Sequence, residues 1–571
     1  MRRILLSASI IMVLAAYVLF GVSLIKDNDY VAREASNGEA YSDWNALLSN
    51  YVNSEGVSLS IDGIKQSVTI TRNVYMDEDM NPVFTQAAVR DAFDCAVDFY
   101  DDERLILAKG NTSAEIYVGD NFIKVNDDIY EIEHPLRMVA GDLYIPAEVI
   151  TKGLGYDYSW NRKDMTAAFK SENPDITGIP YYYNHAERGR MTDVKDQGEF
   201  GTCWAFAAVS ALESTLLPAE RWDFSEDHLI YNNGFGDKSG SGGDYILALA
   251  YFSSWRGPVL EEDDPYGDGI TDATLAAVKH VQEVQLIQGK DYGTIKKMVF
   301  KYGAVASGLY ISTQDEKYID TTYYNVENAA YCYPMEAAPN HEIVIIGWDD
   351  DYPKENFNGD IPEDGAFICK NSWGEGFGDN GIFYVSYCDG VIGESCEVYT
   401  RVDDNDNYDN IYQLDDSGWS GRIGYDRNKA YFANVYKSER SENLMAVGFY
   451  ATGPDTTYNV YVCRNFEGTE SLKTDKAYLY ASGTFKNPGY YTVDLNEAVE
   501  IQGGDEFAVI VEINTPGVGR PIAIEVATEE RENTVDTYGK KSYISSYGYD
   551  WELTQQSSKC NVILKVFTND R

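Results

Sequence analysis

Apolar positions along this 571-residue chain change their period from one stretch to the next, and each change marks a different kind of element. Ile4 to Ile25 is uncharged and largely apolar, 22 residues that suffice to cross a bilayer, and Arg2 and Arg3 precede it. Residues 27–59 are polar and read as a linker or short stalk. From there to Phe169 the pattern becomes short strands and turns. Ile116 and Val118, the turn Gly119-Asp120-Asn121, then Ile123 and Val125 predict a hairpin. An internal repeat with an offset of 61 residues relates Val83–Phe99 to Tyr144–Trp160, each copy reading strand, helix, strand. From Trp204 the sequence Ala-Phe-Ala-Ala-Val-Ser-Ala-Leu-Glu is strongly helix-forming until Pro218 stops it, with Thr202 placed to cap. His341 opens a run of β-branched residues reaching Trp348. Beyond Glu397 only period-two alternation remains, as in Tyr458, Val460 and Val462, or Phe507, Val509 and Val511. That final stretch predicts an antiparallel β-sandwich.

The length exceeds what one core serves, so several domains are expected, and 44% hydrophobic residues are ample to build them. A net charge of -46 argues against nucleic-acid partners, because phosphate would be repelled. Positive charges before the apolar segment place the rest of the chain outside the cytoplasm, and both a cleaved signal peptide and a retained anchor fit the segment. The acidic run Asp403–Asp409 lacks the glycine and distal glutamate of a calcium loop and reads as a solvated linker. Eight cysteines spread over the domains do not make a disulfide scaffold.

Cys203 carries the chemistry. It stands at the start of the apolar helix, where the helix N-terminus favours a thiolate. Gln197 can offer a side-chain N–H beside the backbone N–H of Cys203, the two donors a tetrahedral oxyanion requires. The base must come from afar in sequence. Of five histidines His341 is held at a rigid strand entrance, and Asn371 and Trp373 follow in Lys370-Asn371-Ser372-Trp373-Gly374, able to orient the ring and to shield it from water.

These segments, in this order, resemble the papain-like cysteine peptidases of bacterial type over about residues 177–400. Gln197, Cys203, His341 and Asn371 match the family's oxyanion glutamine, nucleophile, base and orienting amide. Gly242-Gly243 matches the glycine pair that meets substrate backbone, and Ser225-Glu226, Gly257-Pro258, Pro265-Tyr266 and Tyr302-Gly303 follow the family pattern. Residues 60–170 resemble the copper amine oxidase N-terminal-like domain, without a metal cluster, and residues 408–571 a lectin-like domain.

The resemblance implies a multidomain α+β protein: a small α+β repeat domain, a catalytic domain with a helical and a β lobe, and a β-sandwich. It implies an extracytoplasmic endopeptidase acting on proteins or peptides through an acyl-enzyme, with no cofactor and no metal. Flanking domains would contact cell wall or glycan, and the N-terminal segment the membrane if uncleaved. An adhesin with an inactive peptidase domain and a transpeptidase are the competing readings. The family's cysteine three residues before the nucleophile is Phe200 here, and its disulfide partner position is Gly240. The resemblance therefore predicts an aromatic ring packed over a glycine where a bridge would stand. No charged inhibitory propeptide helix is recognisable.

Overall fold

The structure, a computed structural model, describes residues 57–571 except 68–69, 71–72, 78, 140, 173–177, 236–241, 315–317 and 528–534. The signal or anchor segment, most of the stalk and Gly240 therefore lie outside the described residues.

The sequence repeat is a structural one. In the first copy β1 (Pro82–Phe84), α1 (Gln86–Phe93) and β2 (Ala96–Tyr100) follow in turn. The predicted hairpin is β3 (Thr112–Tyr117) with β4 (Phe122–Val125), paired Ala114 to Val125. The second copy is β5 (Asp142–Pro146), α2 (Ala147–Leu154) and β6 (Tyr156–Asn161). The copies join where β5 pairs β1 antiparallel, and their apolar faces close one core around Phe84, Phe93 and Phe169.

The central domain has two lobes. Its helical lobe centres on α3 (Cys203–Leu216) and α4 (Tyr245–Ser253), both apolar enough to be buried nearly all round. Its β lobe contains β7 (Lys279–Gln288), α5 (Tyr292–Lys301), β8 (Val305–Leu309), β9 (His341–Asp349), β10 (Ala366–Lys370), β11 (Ile382–Ser386) and β12 (Ser395–Asp404).

The C-terminal sandwich is built from β13 (Lys429–Lys437), β14 (Glu442–Ala451), β15 (Thr456–Cys463), β16 (Gly489–Ile501), β17 (Glu506–Asn514) and β18 (Leu564–Asp570). One layer contains β15-β17-β13 and the other β16-β14-β18. Phe432, Val460, Val509 and Val511 of the first meet Leu444, Phe449, Val493 and Leu564 of the second.

The domains are tightly joined. The β lobe and the sandwich share one sheet, ordered β11-β10-β9-β8-β12-β7-β16-β14-β18, with Val284 of β7 paired to Tyr490 of β16. The acidic run is turn-rich, with Asp404, Asn405, Asp406 and Asp409 exposed as a solvated junction requires, but its first two residues belong to the sheet. Asp403 and Asp404 end β12, Asp404 meets buried Lys279 at 2.5 Å, and Asp403 accepts from Arg401 and Asn407. The N-terminal domain docks against α5 and the segment before Cys203. Asp98 of β2 forms a buried ion pair with Arg190 at 3.2 Å, and Asp94 meets Lys301 at 2.8 Å. Arg90 and Asp91 share a cavity with Thr215 and Leu216 at the far end of α3. Cys203 is at the other end of that helix, about 20 Å away for its 14 residues.

Candidate active site

The loop before α3 is fastened to the segment that follows β10. Gln197 donates its backbone N–H to Ser372 O at 2.9 Å, and Gly374 donates to Lys195 O at 3.1 Å. The Gln197 side chain is held at both ends: Nε2 donates to Phe200 O at 2.7 Å, and Oε1 accepts from Ser372 Oγ at 2.6 Å. An amide nitrogen carries two hydrogens, so one remains to serve an oxyanion. Tyr266 fixes the loop from the helical lobe. Its hydroxyl donates to Gln197 O at 2.8 Å and bonds Thr202 Oγ1 at 2.7 Å.

That last contact corrects the expectation for Thr202. Its hydroxyl does not cap α3. Its backbone carbonyl accepts from Ala205 and Phe206 instead. Phe200 also differs. Its ring is 55% exposed and meets Tyr266 edge-on at 6.5 Å, so burial of that ring does not replace a bridge.

His341 is the first residue of β9 and lies opposite Leu309 of β8. In the neighbouring pairing Val344 faces Lys370, which brings Asn371 to the same end of the sheet. His341 Nε2 bonds Asn371 Oδ1 at 2.8 Å, and that oxygen also accepts from the Ser372 N–H at 2.8 Å. An amide oxygen only accepts, so Nε2 carries the ring proton and Nδ1 is left as the basic nitrogen. Trp373 covers the pair, its ring centroid 4.8 Å from that of His341, and Phe377 packs edge-on behind it.

Charge around the pair departs from the sequence expectation of a lowered thiol. Burial pushes the Cys203 thiol up to about 11, Glu342 adds to the rise, and backbone N–H groups oppose it. Burial pulls His341 down to about 4 against the Asn371 hydrogen bond. For each group burial is the largest cause of its shift, ahead of the hydrogen bonds that oppose it.

Gly243 is fixed by close approach, since a Cβ there would lie about 2.5 Å from Cε2 of the Trp204 indole. Gly242, at φ 151, is exposed beside it. The sequence-predicted residues Gln197, Cys203, His341, Asn371 and Trp373 thus converge where the two lobes meet, with Gly242-Gly243 held against Trp204.

Sequence reasoning gave no role to Ser372, Tyr266 or the charges beneath the site. Lys370, buried, bonds Thr192 Oγ1 and donates to Asp193 O at 3.0 Å, and burial lowers it to about 8. Lys195 binds Glu226 at 3.0 Å. Ser372 and Lys370 flank Asn371 directly, and a lysine closing an apolar strand was the available signal.

A buried, oriented histidine and a thiol at a helix start, with donors beside it, define the equipment of a cysteine-nucleophile hydrolase. Family comparison agrees. Residues 179–403 match the papain family cysteine protease profile, residues 65–168 the copper amine oxidase N-terminal domain and residues 411–568 the lectin-like domain. The chain therefore carries a papain-family cysteine protease domain between those two modules.

Among relatives, a viral cathepsin of Heliothis zea nuclear polyhedrosis virus is 30% identical over 218 residues, covering 37% of this chain and 53% of that protein. Cysteine protease Amb a 11.0101 of Ambrosia artemisiifolia is 27% identical over 216 residues, covering 37% and 51%. The chain spans about half the length of these curated relatives. A solved clostridial cysteine protease, Cwp84 after propeptide cleavage, is 29% identical with a TM-score of 0.60, covering 68% of this chain and 99% of that one. The cysteine protease and lectin-like domains of Cwp84, described as a surface layer associated protein of Clostridium difficile, give 28% identity and a TM-score of 0.59, covering 69% and 90%.

Proposed function

We propose that this chain is an extracytoplasmic cysteine endopeptidase whose nucleophile is Cys203. The observation that carries the reading is the hydrogen bond from His341 Nε2 to Asn371 Oδ1 at 2.8 Å, which leaves Nδ1 as the basic nitrogen. His341 takes the thiol proton as sulfur attacks the peptide carbonyl. The free N–H of Gln197 and the Cys203 backbone N–H hold the oxyanion. His341 then protonates the departing amine, and water, activated by the same ring, releases the acyl group.

Asn371 acts by orientation, and Trp373 keeps water from its bond to His341. The surface-layer association of Cwp84 and the Arg2-Arg3 apolar leader both support an extracytoplasmic setting, with the lectin-like domain a candidate contact to surface glycan.

The test is incubation of the full chain with a peptide library, with and without an added amine. Free carboxyl termini at the cleaved bonds support the peptidase. Amide products that require the amine point to transpeptidation. Intact peptides in both arms return the chain to the binding-only reading.

A further inference from the structure

Lys565 and Asp415 form a closed ion pair where the sandwich meets the helical lobe. Lys565 is the second residue of β18, between Leu564 and Val566, which face the sandwich core. Its own side chain therefore leaves on the opposite face, as does that of Phe567, which packs on Trp255 of the helical lobe. Asp415 lies on the chain entering the sandwich, three residues past Tyr412, which pairs with Val566 of β18.

Lys565 Nζ donates to Asp415 Oδ2 at 2.7 Å and to Gln413 Oε1 at 2.6 Å, and the two charged side chains are 1% and 2% exposed. No other lysine–carboxylate pair among the described residues is so closed. In Lys195–Glu226 the lysine is 25% exposed, and in Lys301–Asp94 the acid is 47% exposed. Asp415 Oδ1 has no hydrogen-bond partner among the described residues. Glu525 fixes the backbone just after Asp415, accepting from the Asp416 N–H at 2.7 Å and the Ser417 N–H at 2.5 Å. Burial raises Glu525 toward its protonated form, and Asp415 adds to the rise.

Two full charges at this depth are costly even when paired. A primary amine and a carboxyl group held together away from water can also condense. The Nζ–Oδ2 distance of 2.7 Å brings Nζ to roughly 3–3.5 Å from Cγ, the range of a near-attack geometry.

We propose that Lys565 and Asp415 join in an intramolecular isopeptide bond. One proton passes from the ammonium to Oδ2 along the existing hydrogen bond. The freed lone pair on Nζ forms a bond to Cγ, and the Cγ–Oδ2 bond breaks. Oδ2 leaves as water with a second proton from nitrogen. The third proton stays on the amide N–H, and Oδ1 becomes the amide carbonyl oxygen. No oxidant or external donor enters, and both buried charges disappear. The bond closes a span of 150 residues, tying the entry of the sandwich to its last strand at the face that meets the protease. It does not depend on the peptidase reading.

The experiment is tryptic peptide mapping by mass spectrometry of the full chain, denatured and alkylated before digestion. Wild type is expected to give residues 402–422 joined to residues 560–571, at the sum of the two masses less one water. The Lys565–Val566 bond should stay uncut within it, because trypsin needs a free lysine, and fragmentation should place the link between Asp415 and Lys565. Cys203→Ser should carry the same joined peptide, since the two side chains alone form the bond. Lys565→Arg should lose it and melt at a lower temperature. If Lys565→Arg does not fold, the wild-type and Cys203→Ser maps decide. Recovery of 402–422 and 560–565 only as separate peptides from wild type overturns the proposal and leaves an ordinary buried ion pair. A joined peptide that Cys203→Ser lacks, or that persists in Lys565→Arg, overturns it as well.

Discussion

Asp98→Ala tests whether the N-terminal domain is an integral brace of the protease. Asp98 and Arg190 are 1% and 2% exposed, and Nη1 of Arg190 stands 3.2 Å from Oδ1 of Asp98. Removing the carboxylate leaves a guanidinium buried without its counter-ion, which costs about 3–5 kcal/mol in comparable buried pairs. Arg190 keeps donors engaged with Tyr183 Oη and with the carbonyls of Phe300 and Tyr302, which favours the lower end of that range. For a folding unit of this size 1 kcal/mol corresponds to about 2–4 °C, so the melting temperature should fall by about 6–12 °C. The assay is thermal unfolding of the full chain followed by tryptophan fluorescence. Asp98→Leu combined with Arg190→Met should recover most of the loss, because an apolar pair needs no counter-charge. A fall below about 2 °C in Asp98→Ala, or no recovery in the double variant, refutes the claim that this interface is closed around a required charge pair.

Other perturbations address the site. His341→Ala should lower kcat/KM by about 10²–10⁴-fold, and Asn371→Ala by less, since it orients the ring and transfers no proton; steady-state kinetics on one peptide rank the two. Gly243→Ala places a methyl group against Trp204 and should cost about 1–3 kcal/mol of stability while raising KM, read by melting and kinetics together. With burial pulling His341 to about 4, activity on an uncharged peptide should persist as pH falls through the ordinary histidine range and be lost only near 4, where Nδ1 becomes protonated and cannot take the thiol proton; an acid limb at 6.5 or above would contradict this. All eight cysteines are free thiols, so dithiothreitol should leave the melting temperature unchanged.

Much of the site is legible in the sequence because each element announces itself locally. Alternation around Gly119-Asp120-Asn121 gives the hairpin, and alanine-rich helix formers after Cys203 give α3. The proposed catalytic set is legible because chemistry restricts each place to one residue type, and His341 stands at the mouth of an unmistakable strand.

What escaped depends on tertiary neighbours. The pairing of β7 with β16 fuses protease and sandwich into one sheet, yet Tyr490 and Val284 read like any other apolar strand residues. Asp98 looks like an ordinary surface acid in a strand of mixed character, and burial by another domain gives it its energy. Thr202 and Phe200 carry the residue types for a cap and a plug. Tyr266, 64 residues beyond Thr202, takes the hydroxyl, and the ring turns outward.

The central claim is that Cys203 is the nucleophile of a working peptidase. Its most direct test is peptide mapping of the full chain after reaction with an epoxysuccinyl inhibitor, alongside hydrolysis by Cys203→Ser. The account predicts one adduct, on Cys203, with complete loss of cleavage in wild type at full labelling and in the serine variant untreated. An adduct on Cys332 or Cys369 together with undiminished cleavage by Cys203→Ser would contradict it.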